Sequence, residues 1–301
     1  MKKIKVAIVG FGNVGEEVLN ALLESLDMEV AGIVELCSCI DSARKKAGKV
    51  PVVSDVEELG KVDVAILSLN SRSVPKVAKE YLSKGINTVD AYDIHGKSLV
   101  ELRRDLDEIA KEKGIVAISG AGWDPGTNSA IRAIFETIAP KGLTTVNYGP
   151  GMSMGHTVAV KAIPGVKEAL AITIPKGMSM HQRVVYIELE EGYDINKVVK
   201  DIKNDAYFIK DETHVFEVDD VRALIDKGHG VHMARKGVSG KTHNQKIDFF
   251  MSVSNPAATS QVMVSAARAS IKQKPGAYTL LEIPPVDFIY GGRFNLLERL
   301  T

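Results

Sequence analysis

VAIVGFGNVG, residues 6–15, is the stretch that decides the fold of this chain. It continues an apolar run, residues 4–9, that is rich in β-branched side chains and typical of a strand buried on both faces. Three glycines follow at G-x-G-x-x-G spacing, and residues 16–26 then have the periodicity of an amphipathic helix. The order strand, tight turn and helix predicts the first crossover of a dinucleotide-binding domain.

Each glycine of this turn has its own expected role. Gly10 permits the turn, Gly12 lets a pyrophosphate approach the backbone, and Gly15 lets the helix pack close to the strand. The phosphates would lie at the helix N-terminus, where N–H groups and the helix dipole favour negative charge. A second strand at residues 29–34 supplies the βαβ context that the motif requires. The competing interpretation is a glycine-rich turn that binds nothing.

The alternation of strands and helices continues over about 120 residues, which predicts an α/β fold with a doubly wound parallel sheet, the Rossmann type. Strand-like segments with few helices then predict a second, α+β domain. We expect a dinucleotide-binding domain at 1–121 and a substrate-binding and dimerisation domain, with one open sheet, at 122–255. Residues 256–301 should pack back on the first domain. The predicted strands of the second domain are 144–148, 169–174, 183–189, 231–237 and 246–253.

Composition excludes several classes of function. The chain has 38 basic and 38 acidic residues, so its balance of charge does not favour nucleic-acid or membrane binding. No apolar stretch approaches the roughly 20 residues of a membrane span, and polar residues interrupt any signal-peptide core. We therefore expect a cytoplasmic protein. Cys37 and Cys39 are predicted to be reduced loop thiols, because a C-x-C pair without further ligands is too sparse for a metal site.

Polar side chains follow several predicted strands at the edge where an open α/β sheet binds its ligands. Asp93 follows one strand and Asp124 lies beyond another, so the two carboxylates should converge near a nicotinamide. Carboxylates there suit a cationic group such as an ammonium. Alternatively, both aspartates could cap the helices that follow them.

A second glycine-rich loop, residues 149–156, could offer its N–H groups as an anion nest, or it could be a simple turn before a helix. His156 at the start of that helix has a structural role in the simpler interpretation. Arg183 could make a bidentate pair with a substrate carboxylate. His229, His232, His243 and Asn255 are further candidates, but no acid or cysteine completes a metal site, and we predict none.

These motifs together resemble the meso-diaminopimelate dehydrogenases, specifically the branch with broader substrate range known as type II. The resemblance covers nearly the whole chain, and the loop around Trp123 and the second glycine loop are its most specific parts. The matching motifs are residues 10–15, 90–93, 122–126, 149–156, 163–166 and 255–256.

The resemblance implies oxidative deamination of the D-amino centre of meso-2,6-diaminopimelate to L-2-amino-6-oxopimelate and ammonia, and the reverse reaction. It makes Asp93 and Asp124 the candidate catalytic residues, while His95 should matter far less to turnover. The implied substrate-binding residues are Asp93, Trp123, Asp124, Tyr148, Ser153, Met154, Gly155, Thr173, Arg183, His229 and Asn255. The predicted cofactor-binding residues are Gly10, Phe11, Gly12, Asn13, Val14, Gly15, Glu35, Leu36, Leu69, Asn70, Ser71, Ala91, Tyr92, Ala121, Gly122 and Trp123.

The sequence departs from the family at the end of the second strand, where arginines that bind NADP are usual. Glu35 stands there instead, about 20 residues beyond Gly15, where an acid accepts hydrogen bonds from the adenosine ribose. An acid would repel a 2′-phosphate, so we predict that NAD is preferred and that NADP is the family-typical alternative. Arg44, Lys45 or Lys46 could still fold back onto a 2′-phosphate, or Glu35 could point to solvent.

Two other functions compete with this prediction. A broad-specificity D-amino-acid dehydrogenase, or one for another diamino acid, could keep the reacting end and change the distal pocket. A dinucleotide-binding sensor without turnover is a different class, and the paired acids and the basic distal group disfavour it. A homodimer is expected in each case.

Overall fold

The computed structural model describes residues 3–224 and 228–301. The chain forms two compact units. The first comprises residues 1–133 and 256–301, and the second comprises residues 134–255. The first boundary therefore follows Ala133 rather than residue 121, so most of the helix that follows the tryptophan loop belongs to the first unit.

In chain order, the strands are β1 (Ile4–Val9), β2 (Met28–Val34), β3 (Val52–Val53), β4 (Val64–Leu67), β5 (Asn87–Asp90), β6 (Val116–Ile118), β7 (Lys141–Tyr148), β8 (Gly151–Met152), β9 (Val166–Gly177), β10 (Met180–Leu189), β11 (Glu212–Glu217), β12 (Gly228–Ser239), β13 (Thr242–Ser254) and β14 (Gly276–Tyr278). The helices are α1 (Asn13–Leu23), α2 (Ile40–Ala47), α3 (Val74–Ser83), α4 (Lys97–Lys113), α5 (Thr127–Ile138), α6 (Met154–Lys161), α7 (Ile195–Asn204), α8 (Asn255–Ser270) and α9 (Arg293–Leu300).

A parallel sheet of seven strands organises the first unit, in the order β14-β6-β5-β4-β1-β2-β3. Its order reverses at β1, so the carboxyl ends of β1 and β4 flank the point at which such sheets bind ligands. Alternate residues of β1 pack into two different cores. Val6 and Ile8 belong to one apolar cluster, and Ala7 and Val9 belong to the other. The doubly wound α/β fold predicted from the alternation of strands and helices is confirmed.

The C-terminal segment packs within the first unit through buried polar bonds. Arg268 of α8 makes a bidentate ion pair with Asp27, which immediately precedes β2, at 2.6 and 2.9 Å. The Ser260 hydroxyl donates to the Val14 carbonyl of α1 at 2.9 Å. Because β14 adds a parallel strand beside β6, the tail extends the sheet as well as covering it.

The second unit has two sheets where the sequence predicted one. One sheet has four strands in the order β11-β10-β9-β8, and the other has three in the order β13-β12-β7. The single-sheet expectation was wrong because the strand pattern carries no information about which strands pair. None of the helices in the described parts of the chain is long and apolar enough to cross a membrane.

Candidate active site

The glycine turn lies between β1 and α1, and its backbone explains the three glycines. Gly10 has φ +85°, and a Cβ there would lie 2.8 Å from the Leu69 side chain and from the Ser68 carbonyl oxygen. A Cβ on Gly15 would lie 2.3 Å from the Gly10 carbonyl oxygen. At Gly12 a Cβ would meet no atom within 4 Å. The turn thus has open space beside Gly12 where a pyrophosphate fits, and none beside the other two glycines.

Glu35 connects the end of β2 to this turn. Its Oε2 accepts a hydrogen bond from the Phe11 N–H at 2.7 Å, and its Oε1 accepts one from the Leu36 N–H at 2.8 Å. The carboxylate therefore points along the turn and not away into solvent. Each carboxylate oxygen has a further lone pair, so both can still accept a ribose hydroxyl.

Two of the three nearby basic residues already hold partners in the first unit. Lys46 pairs with Glu16 at 2.5 Å. Arg44 donates to the Val52 carbonyl at 3.3 Å and lies 3.6 Å from Asp41. Lys46 and Arg44 would have to give up these contacts to bind a 2′-phosphate.

The segment after β4 contacts the first candidate carboxylate, Asp93, which lies after β5. The Ser71 hydroxyl donates to Asp93 Oδ1 at 2.5 Å, and the Asp93 N–H donates back to Ser71 Oγ at 3.0 Å. Asn70 Oδ1 accepts from the Ser73 N–H and hydroxyl, both at 3.1 Å, so its side chain caps the turn before α3. Ser71 thus orients Asp93, whereas the expected contact of the Asn70 side chain with a cofactor competes with this cap.

The segments after β5 and β6 meet at Asp90, a residue that the sequence reasoning missed. Asp90 is completely buried, and its carboxylate accepts from the Tyr92 N–H, the Ser119 hydroxyl and the Gly120 N–H at 3.0, 2.8 and 3.2 Å. Burial raises the pKa of Asp90 to about 6 although these hydrogen bonds favour the ionised form. The Ala121 N–H donates to the Asp90 carbonyl at 2.7 Å. Ala91 lies beside Gly122, since a Cβ on that glycine would be 3.6 Å from the Ala91 Cβ.

The loop between β6 and α5 holds the second carboxylate. Trp123 is buried, and its carbonyl accepts from the Thr127 hydroxyl and the Asn128 N–H, so the backbone caps α5. The Asp124 carboxylate is 11 % exposed, and His95 Nε2 lies 3.6 Å from its Oδ2. Asp124 Oδ1 is buried and has no hydrogen-bond partner among residues 3–224 and 228–301. Asp124 therefore does not cap the helix, the alternative considered for it.

Arg183 is the centre of the polar cluster in the second unit. Its Nε donates to Asp211 Oδ2 at 2.6 Å, and its Nη1 donates to the Thr173 hydroxyl. The side chains of Arg183 and Asp211 are 12 and 22 % exposed, so the pair is largely removed from water. Thr173 lies opposite Arg183 in the β9–β10 ladder. Asp211 binds one edge of the Arg183 guanidinium. The Nη2 group of Arg183 can then donate to a substrate carboxylate.

The other distal candidates lie near this cluster. Thr173 also pairs with Gly151 of β8. A Cβ on Gly151 would lie 2.9 Å from the Cα of His229, a buried residue of β12. His229 pairs with Val253 of β13, and Asn255 begins α8 two residues later. Tyr148 lies at the end of β7, where its N–H donates to His181 Nε2 at 2.9 Å.

The second glycine loop differs from the expected anion nest. The Gly149 N–H donates to the Gly230 carbonyl at 2.7 Å, and the Ser153 N–H donates to the Ala171 carbonyl at 2.8 Å. These two donors are used by neighbouring strands and do not face a ligand. Half-buried Met154 and Gly155 form the first turn of α6, whose N-terminus has no side-chain cap. An anion could therefore meet N–H groups only in that turn.

His156 has the structural role considered for it. Its Nε2 lies 3.0 Å from the Tyr207 carbonyl and must donate, so Nδ1 accepts from the Ser153 hydroxyl at 2.7 Å. Burial and the charge of Arg183 lower the pKa of His156 to about 4, so the ring is neutral at neutral pH. His156 thus fixes the direction of the Ser153 hydroxyl. No three His, Cys, Asp or Glu side chains within the described ranges form a group that could hold a metal.

Sequence reasoning missed three residues that orient candidate site groups: Asp90, Asp211 and His181. Each forms its contact across strands or after a long loop, as Asp211 does with Arg183 at a separation of 28 residues. Only an aspartate directly at the end of a strand, as at Asp90, could have been noticed from the sequence.

The fold and the glycine turn define the class to which the protein belongs, the dinucleotide-binding proteins of the Rossmann type. Residues 1–92 match the family model described as CoA binding domain, and residues 122–180 match Diaminopimelic acid dehydrogenase C-terminal domain. The chain is 55 % identical over 301 residues to a Meso-diaminopimelate D-dehydrogenase of Bacteroides fragilis, covering 100 % of both chains. It belongs to the meso-diaminopimelate D-dehydrogenase family. The resemblance found in the sequence is confirmed.

Solved structures agree over the whole chain. Diaminopimelate (DAP) dehydrogenase of C. glutamicum in complex with DAP is 27 % identical, with a TM-score of 0.87 and 100 % of both chains covered. An engineered D-amino acid dehydrogenase bound to NADP+ is 26 % identical, with a TM-score of 0.85 and the same coverage.

Proposed function

We propose that the protein is a meso-2,6-diaminopimelate dehydrogenase. It catalyses the reversible NAD(P)-dependent oxidative deamination of the D-amino centre to L-2-amino-6-oxopimelate and ammonia. The observation that carries this proposal is Asp124 Oδ1, a buried carboxylate oxygen without a partner in the described chain, in the same unit as the glycine turn. A buried acceptor without a partner costs about 1–3 kcal/mol, and a substrate ammonium removes that cost.

The reacting end of the substrate would be held by Asp93 and Asp124. Two carboxylates bind its ammonium, and one of them accepts a proton, directly or through water, so that the nitrogen lone pair becomes available. A bound nicotinamide dinucleotide supplies the hydride acceptor. Water then adds to the carbon of the resulting imine, and ammonia leaves as the carbonyl forms. Trp123, buried beside Asp124, packs against this end and limits its access to water.

The distal L-amino-acid end would be bound in the second unit. Arg183 presents its guanidinium to the distal carboxylate, and Thr173 and His229 line the same part of the unit. Asn255, Tyr148 and the first turn of α6, with Ser153, Met154 and Gly155, complete the proposed substrate-binding set. Asp211 lies beside Arg183 and neutralises its charge in the absence of substrate.

A matrix of coenzymes against substrates tests the function. We expect NAD(P)H formation with meso-diaminopimelate and a much lower rate with the LL-isomer, which has no D-amino centre to react. Rates with simple D-amino acids, which lack the distal end, should be at least about tenfold lower, a difference of about 1.4 kcal/mol. Comparable rates with simple D-amino acids would favour the alternative of a broad-specificity D-amino-acid dehydrogenase, a reaction class found in the engineered relative. No activity with any amino acid would favour the sensor.

We further propose that NAD is the preferred coenzyme. Glu35 is anchored at the turn, where a second negative charge from a 2′-phosphate would be repelled. Lys46 and Arg44 are engaged elsewhere. NADP remains the alternative, because the engineered relative was solved with NADP+.

Glu35→Gln is expected to shift the ratio of kcat/KM for NADP over NAD upward by about tenfold or more, since removing like charge is worth at least about 1.4 kcal/mol. Glutamine keeps an acceptor for the turn while losing the charge. Steady-state kinetics with both coenzymes measure the ratio, with Glu29→Gln as control, since Glu29 is an exposed acid on β2, the strand that Glu35 follows. A wild-type preference for NADP would contradict the role of Glu35.

Asp211→Asn is expected to raise KM for meso-diaminopimelate by about 30-fold or more and to leave KM for the coenzyme unchanged. The buried guanidinium of Arg183 would lose the group that orients it, a change worth about 2–5 kcal/mol in comparable charge pairs. Glu212→Gln is the matched control, because the adjacent Glu212 pairs with exposed Lys176. Equal KM values for meso-diaminopimelate in Asp211→Asn and Glu212→Gln would show that Asp211 does not contribute to substrate binding.

A homodimer and a cytoplasmic location complete the proposal. β13 is an outer strand of 13 residues, and Phe250 on it is 72 % exposed. The outer edge of a strand has unpaired N–H and C=O groups that can pair with another chain. Light scattering should give twice the chain mass of 32.5 kDa.

Cys37 and Cys39 are free and exposed, which suits a reducing compartment.

A further inference from the structure

Two segments of the first unit carry the candidate carboxylates, and both are bonded to one buried side chain. Asp93 lies three residues after Asp90 in the segment that follows β5. Asp124 lies four residues after Gly120 in the loop that follows β6. The Asp90 carboxylate accepts from the Tyr92 N–H in the first segment and from the Gly120 N–H in the second.

The connection is made twice more. The Ser119 hydroxyl donates to the other oxygen of Asp90 at 2.8 Å, and the Ala121 N–H donates to its backbone carbonyl at 2.7 Å. Asp90 and Ser119 are both fully buried. The carboxylate of Asp90 thus uses both oxygens, and no water is needed to connect the segments.

Burying an ionised carboxylate is unfavourable, which is why the pKa of Asp90 is raised to about 6. A neutral side chain could fill the same volume without that cost. A carboxylate, however, offers acceptors in several directions, and three donors from two segments converge on it. The demand for acceptors explains why a side chain with a carboxyl or amide oxygen is needed at this position.

We infer that Asp90 is a positioning residue that sets the location of Asp93 and Asp124 relative to each other. The inference rests on the proposed function, since it concerns the site of that reaction. Asp90 is buried and acts through the backbone of the two segments, without touching substrate. A misplacement of about 1 Å between reacting groups can lower a rate about 100-fold, so the expected effect lies in kcat.

Comparison of Asp90→Asn with Asp90→Ala tests the inference. Asparagine keeps Oδ1 as acceptor for the Tyr92 and Gly120 N–H groups, and the Ser119 hydroxyl can turn to accept from its amide. We expect Asp90→Asn to retain kcat within about threefold of wild type and Asp90→Ala to lose about 100-fold. The dissociation constant of NADH, followed by fluorescence, should change far less than kcat in both variants. The two segments also carry predicted coenzyme contacts, but the glycine turn that would hold the pyrophosphate is not altered.

Ser119→Ala is the second variant, since Asp90→Ala could fail to fold. It removes one hydrogen bond to Asp90 and should lower kcat by about 3-fold to 10-fold, with NADH affinity unchanged. The inference is overturned if folded Asp90→Ala keeps wild-type kcat, if kcat and NADH affinity fall together, or if Ser119→Ala has wild-type kcat. An inactive wild-type protein would contradict the proposed function instead, so the two failures are distinguishable.

Discussion

Asp124→Asn is expected to lower kcat for meso-diaminopimelate by about 10²–10⁴-fold, the range for loss of a positioned acid–base group. The amide has the shape of the carboxylate but no charge, and its N–H group would face the substrate ammonium. Asp124 Oδ1 bonds to nothing within residues 3–224 and 228–301, so the folded protein should not be weakened. Initial rates and thermal unfolding of the same preparation measure both quantities. Asp93→Asn should lower kcat to a similar extent.

The matched control is Asp105→Asn, an exposed aspartate of α4 that pairs with Lys79 at the surface. The sequence suggested His95 as the inert comparison, but its ring lies 3.6 Å from the Asp124 carboxylate, so its replacement would alter the surroundings of Asp124. Loss of kcat in Asp105→Asn equal to that in Asp124→Asn would refute the assignment.

Gly12→Ala is expected to raise the dissociation constant of the coenzyme by about 10-fold to 100-fold without changing the fold. The added Cβ would meet no protein atom within 4 Å, and Gly12 has φ −87°, which alanine adopts. A methyl group in that space would hold a pyrophosphate away from the backbone, and each lost hydrogen bond to a charged group is worth about 1.5–3 kcal/mol. Fluorescence titration with NADH gives the constant.

Gly292→Ala serves as control, because Gly292 also precedes a helix, α9, with φ −71°. Any cost of alanine before a helix is then common to both variants. Gly15→Ala should instead destabilise the protein, since its Cβ would lie 2.3 Å from the Gly10 carbonyl oxygen. If Gly12→Ala binds NADH as tightly as the wild type does, the pyrophosphate does not lie beside Gly12.

The fold of the first unit could be predicted because its signals are local. The apolar residues of β1 and the glycines after it specify strand, turn and helix within one short stretch. β11 was missed because most of its residues are exposed and polar, so it has no alternating pattern. β8 has two residues, too few for any pattern.

Only those residues of the candidate site that directly follow a predicted strand could be located from the sequence. Asp93 and Asp124 were placed near the carboxyl ends of β5 and β6, where the structure has them. The hydrogen bond of Glu35 to the Phe11 N–H depends on how β2 lies beside β1, which no local pattern encodes. The anion nest failed for the same reason, since its donors belong to strand pairs that form far along the chain.

The two hydrogen bonds that Glu35 makes to the backbone bear on how coenzyme preference can evolve. A change to arginine would attract a 2′-phosphate and at the same time remove the acceptor that holds the Phe11 N–H. A single substitution toward NADP therefore passes through a protein with a loosened turn, and a compensating acceptor must arise elsewhere. An exchange of coenzyme at this position is therefore expected to need at least two coordinated changes.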